Sequence, residues 1–144
     1  MNQDNIYDDL YFRYYNLGNH AYYDKVKFYE TYIKENDNLL YEEKLDLTLD
    51  YVLSIFSIGK YHKFLSLVDP IIETIIRDNI HSFNDQDLFQ ILLFKKAAAL
   101  YNLKKYEESI IILKQLVKIN DKVGDYRKLM WLAIIKLRIR KILF

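Results

Sequence analysis

Between Leu45 and Phe56 the large apolar residues Leu45, Leu49, Val52, Leu53 and Phe56 fall at i, i+4, i+7, i+8 and i+11. At about 3.6 residues per turn this series lies on one side of a helix. Ile110, Leu113, Val117 and Ile119 follow the same rule less strictly. Around Leu88, Phe89 and Ile91 to Phe94 apolar residues run nearly all round the wheel, the pattern of a helix held between neighbours. Continued along the chain, the pattern predicts seven helices, over residues 4–17, 20–35, 40–58, 61–79, 85–101, 104–119 and 124–142.

Three turn signals divide these helices into hairpins. They are Gly18-Asn19-His20, Gly59-Lys60-Tyr61 and the segment NLKKY from Asn102 to Tyr106, spaced by about 41 and 45 residues. Gly18 and Gly59 can take the left-handed conformation that ends a helix, and Asn102 tolerates it better than most residues. Asn84 is a competent cap for the helix at 85–101, with Asp85 and Asp87 favoured in its first turn by the helix dipole. Asp69-Pro70 predicts either a kink or a restart with Asp69 as the cap. Asn36-Asp37-Asn38 and Asn120-Asp121 mark the loops between hairpins.

The stretch from Leu93 to Asn120 resembles the tetratricopeptide repeat (TPR) superfamily. With Tyr106 aligned to that family's turn tyrosine, Leu93 and Leu100 take large apolar positions of the first helix and Ala97 its small one. In the second helix Ser109 takes the small position, followed by Leu113 and Leu116. Around Gly59-Lys60-Tyr61 the same frame puts Val52 and Phe64 where small residues are usual, and Asp121 stands near the family's proline. The spacing also exceeds the family's repeat of about 34 residues. The resemblance implies an all-α, right-handed stack of about three antiparallel helical hairpins plus a C-terminal helix, forming one domain over residues 1–144. It further implies a concave, peptide-binding face. A helical bundle of another kind fits the same helices.

Composition narrows the classes. Of 144 residues, 51% are apolar, with three Gly and one Pro, too few breakers for a sandwich or barrel. There is no Cys, hence no disulfide, thiolate metal site or Cys nucleophile. The longest apolar run, Leu129 to Ile135, is far below the ~20 residues of a membrane span, and the acidic start does not read as a secretory leader. A soluble, cytoplasmic protein is the expectation.

The net charge of +1 conceals a polarity. Residues 1–50 carry 11 acids against 5 bases, whereas residues 101–144 carry 4 acids against 11 bases. Such asymmetry concerns association rather than fold.

Catalytic patterns are weak. His20, His62 and His81 lack metal-ligand spacing, and no phosphate loop or nucleophile elbow occurs. Glu42, Asp46 and Asp50, joined by Glu43, form one acidic row, better suited to a solvated face or basic contacts than to a desolvated acid–base pair. No cofactor or metal is expected. Ten of the 14 Tyr lie within residues 1–51, where they build either a core or an interface.

The C-terminal helix has no acid after Asp125. Arg127, Lys128, Lys136, Arg138, Arg140 and Lys141 alternate with Trp131, Ile134, Ile135, Ile139 and Phe144, and the bases spread over much of the wheel. It predicts either a solvated cap on the stack or a docking element for an acidic partner.

The expected role is a non-catalytic scaffold or adaptor that binds a peptide or partner helix in a groove lined by the helices at 4–17, 40–58 and 85–101. Tyr11, Tyr15, Tyr51, Lys95 and Lys96 are its candidate contacts, with Arg138 and Arg140 on the basic helix. Self-association of the acidic start with the basic end is a further expectation. The alternatives are a regulatory or immunity-type protein that neutralises one target, and peripheral membrane or nucleic-acid attachment through the basic helix. A basic stripe without a recognition motif makes nucleic acid the weaker of those two.

Overall fold

The computed structural model describes residues 21–35, 45–79, 82–83 and 86–143, and these are helical throughout except for turns and one two-residue pairing. The helices are α1 (Ala21–Glu35), α2 (Leu45–Ser57), α3 (Tyr61–Arg77), α4 (Leu88–Asn102), α5 (Tyr106–Ile119) and α6 (Gly124–Leu143). The predicted helix at 4–17 and the turn at Gly18 lie outside the described residues. The chain divides into two compact units, the first ending at Lys60 and the second beginning at Tyr61.

In the first unit α1 packs on α2. Val26 and Tyr29 on α1 and Leu49, Tyr51, Val52 and Ile55 on α2 are buried, with the Tyr29 and Tyr51 rings side by side. The face is rotated slightly from the predicted stripe, since Ile55 is buried and Leu53 and Phe56 are half-buried. Polar edges close the seam. The Asp50 carboxylate accepts from the Tyr29 hydroxyl and, at 3.3 Å, from Lys25 Nζ. α2 ends as its sequence predicts. Gly59 adopts φ +81°, while Lys60 N–H donates to Ile55 O at 3.3 Å and Gly59 N–H to Phe56 O at 3.0 Å. These paired bonds satisfy carbonyls that a helix end otherwise leaves open.

The second unit is a chain of packed neighbours, α3 on α4, α4 on α5 and α5 on α6, with α6 also touching α4. α3 runs unbroken through Pro70, so Asp69 does not restart a helix there. Phe64, Val68, Ile71, Ile72 and Ile75 form its buried stripe. Ser82–Phe83 pairs antiparallel with Gln86–Asp87 before α4 begins. The cap of α4 is Asp87 rather than Asn84, because the helix starts at Leu88 and Asp87 Oδ1 accepts from Gln90 N–H at 3.0 Å.

Helices α4 and α5 meet where small residues were expected. Ala97 and Ser109 are fully buried, and Ser109 Oγ donates to Ala97 O at 2.8 Å. A bond from side chain to facing backbone requires the two helices to approach closely. Leu93, Leu100, Tyr106, Leu113 and Leu116 are buried around that contact. Ile119, predicted to continue the α5 stripe, is exposed, and Leu116 carries the stripe instead.

The turn between α4 and α5 corrects one prediction. Asn102 remains the last helical residue, its Nδ2 donating to Ala98 O at 2.9 Å. The left-handed position is Lys104, at φ +64°. Lys105 N–H reaches Leu100 O at 2.8 Å and Lys104 N–H reaches Tyr101 O at 3.0 Å, the same paired closure as at Gly59.

Candidate functional site

The seven residues singled out by sequence do not form one site. Tyr11 and Tyr15 lie outside the described residues. Tyr51 is 5% exposed, its ring centroid 5.9 Å from that of Tyr29 and its hydroxyl donating to Glu30 Oε1 at 3.4 Å. As a candidate groove contact it is therefore corrected to a core residue of the first unit. Lys95 is half-buried on α4. Lys96 is tied to α3 by an ion pair with Asp69 at 2.7 Å.

Arg138 and Arg140 have different fates although both are exposed. Arg140 turns inward over the Tyr106 ring, 5.5 Å from its centroid, and its Nη1 donates to Lys104 O at 3.1 Å. It thereby clamps the end of α6 to the left-handed turn residue, combining a cation–π contact with a charged hydrogen bond. Arg138 projects from a different part of the helix surface.

Helix α6 carries the feature that separates this unit from a closed bundle. At about 100° per residue its side chains divide into two apolar arcs. One arc holds Tyr126, Met130, Ala133, Ile134 and Leu137. Ala133 is fully buried beside Tyr106 and Ile110, with Ile134, Leu137 and Tyr101 packed around them. Tyr126 is buried against α4, its ring centroid 5.3 Å from that of Phe94 and its hydroxyl donating to Gln90 Oε1 at 3.0 Å. Burial, and then the negative charge of Asp87, raises its pKa above the usual tyrosine value.

The other arc holds Trp131, Leu132, Ile135, Ile139, Ile142 and Leu143, all exposed, from 42% at Leu132 to 82% at Ile142. Trp131, Ile135, Ile139 and Leu143 form an unbroken i+4 ridge three turns long. Cations run between the two arcs. Arg127 and Arg138 occupy one seam and Lys136 and Arg140 the other, while Lys141 falls at the C-terminal end of the covered arc and Lys128 within the exposed arc at its N-terminal end.

In the sequence these apolar residues are interleaved with bases, a pattern that does not by itself mark a site. The usable signal was the i+4 series itself, which separates Ile135 and Ile139 from Ile134 and Leu137. Single exposed apolar residues are ordinary, whereas six together on one helix face are not.

Groups suited to catalysis are sparse among the described residues. No cluster of three or more His, Asp or Glu stands close enough to hold a metal ion. His62 is exposed at the start of α3. Asp50, from the acidic row, is engaged by Tyr29 and Lys25. An open depression of about 220 Å³ at the start of α5 is lined by Lys104, Lys105, Tyr106, Glu107, Glu108 and Arg140, where carboxylates offset the cations. No described helix is long and apolar enough to cross a membrane. No protein-family model, curated protein or solved structure matches the chain.

Proposed function

We propose that the protein is a non-catalytic protein–protein interaction scaffold whose docking surface is the outward face of α6. The observation that carries this reading is the exposed ridge Trp131–Ile135–Ile139–Leu143 on a helix already packed on its other side. Leaving six large apolar side chains in water forfeits burial worth ~1.5–3 kcal/mol for each that could be fully covered. A contiguous exposed patch of this kind is characteristic of an interaction surface.

The scaffold is a TPR-like stack of helical hairpins in this reading. Its support is the burial of Leu93, Ala97, Leu100, Tyr106, Ser109, Leu113 and Leu116 at the positions the resemblance assigns. The lack of Cys accords with work in the cytoplasm. The functional surface moves from the inner groove to the last helix, because Tyr51 is buried and Lys96 is paired with Asp69.

The test compares affinity captures by the full chain and by Ile135→Glu/Ile139→Glu, analysed by quantitative mass spectrometry. Partners retained by the native chain and lost from the double variant are expected. Identical partner profiles from the two would sink the α6 surface.

A further inference from the structure

The second unit shows what this chain does with a helix that is apolar on more than one flank. α4 lies between α3 and α5, and none of its large apolar side chains is among the exposed ones. α6 has apolar residues on two opposite arcs, yet α4 and α5 cover only the one centred on Ala133 and Leu137. Among the described residues the second arc therefore has the character of a helix–helix contact without its second helix. Its i+4 ridge is the kind of row that interdigitates with a facing helix.

Charge selects the chemistry of that helix. The chain has no acid after Asp125; Arg127 and Arg138 flank one edge of the ridge and Lys136 the other, Arg140 being turned toward Tyr106 and Lys104 O. A second α6 laid on the first would set cations against cations. A lipid surface would cover the apolar arc but offers no grooves to receive its i+4 ridge. A facing helix with carboxylates beside its apolar stripe meets both needs, as flanking charges do in paired helices. We infer that the outward ridge of α6 binds an amphipathic helix of a partner protein, about 12 residues or longer, with Asp or Glu along both edges of its apolar stripe. This rests on the docking surface proposed above and specifies its occupant.

The lone tryptophan provides the readout. Trp131 stands in the ridge and is 56% exposed, so covering the ridge moves its emission to the blue. The full chain is titrated with two synthetic 18-residue helices that lack Trp and share one Leu stripe, one edged with Glu and the other with Lys. Vesicles of phosphatidylcholine and phosphatidylserine form a third arm, and dilution of the protein alone a fourth.

A saturable blue shift with the Glu-edged helix is expected, with binding of the Lys-edged helix about tenfold weaker or less. Ile135→Glu/Ile139→Glu abolishes the shift at unchanged helix content, and Lys136→Glu/Arg138→Glu reverses the preference. Equal binding of the two helices, or preference for the Lys-edged one, overturns the acidic occupant but keeps the docking surface. A shift with vesicles alone makes the ridge a lipid contact, and one that grows with protein concentration makes it a contact between copies; either overturns the inference. No shift in any arm overturns the docking surface itself.

Discussion

α4 and α6 belong to one unit, and each places apolar residues on more than one flank, yet they have opposite surroundings. α4 is closed in by α3 and α5, with Lys96 paired to Asp69 at its edge and Ser109 bonded to its backbone. α6 is covered on one side and leaves Trp131, Ile135, Ile139 and Leu143 in water on the other. A two-sided apolar pattern thus measures how many neighbours a helix can take. It does not say how many the described residues supply.

The contrast can be broken most severely from the covered side. Leu92 is fully buried on α4, and Leu92→Ala is expected to cost about 2–5 kcal/mol, measured by denaturant unfolding of the full chain. On α6 the inner attachment is weaker and more polar. Arg140→Ala removes the contact with Tyr106 and the bond to Lys104 O, and should cost about 1–2 kcal/mol. Arg140→Lys should recover only part of this, since an ammonium lacks the flat face that stacks on the ring.

Tyr126 joins the two helices and adds a pH dependence. Its folded-state pKa lies above the unfolded value, so the native state holds its proton longer than the unfolded chain does. The resulting stability is complete below about pH 10 and is lost as pH rises through the folded value. Tyr126→Phe should flatten the alkaline side of the stability profile, which equilibrium unfolding between about pH 8 and 11 would show. At the turn joining α4 to α5, Lys104→Gly should stabilise by about 0.5–1 kcal/mol, because glycine adopts φ +64° without the penalty of a Cβ.

Much of the second unit was legible because small residues have few reasons to recur at contact positions. Ala97 and Ser109 located the closest approach of α4 and α5, and the large residues around them are buried as that placement required. Gly59 was equally legible, since a glycine beside a helical pattern commonly ends it in the left-handed region. The next turn was not. Asn102 is the better left-handed residue by type, but its bond to Ala98 O and the backbone bonds of Lys104 and Lys105 carry the reversal two residues further.

The start of α4 was misplaced for a related reason. Asn84 and Asp87 are both competent caps, and Asp87 precedes the helix because Gln86–Asp87 first pairs with Ser82–Phe83. The candidate site was the least legible part. Two apolar arcs on α6 look alike in sequence, and only packing reveals that the arc with Ala133 is covered. Tyr51 and Arg140 were chosen for their chemistry, and their partners Glu30, Tyr106 and Lys104 turn them inward.

The central claim is that the outward ridge of α6 contributes nothing to the packing of the described residues. Its most direct test is the thermal melt of full-length Ile135→Glu/Ile139→Glu beside the native protein. Exposed sites predict a change within about 0.5 kcal/mol per substitution, hence transitions within about 5 °C of each other. A transition lowered by ten degrees or more would mean that the ridge is buried within the chain's own fold, and would contradict the account.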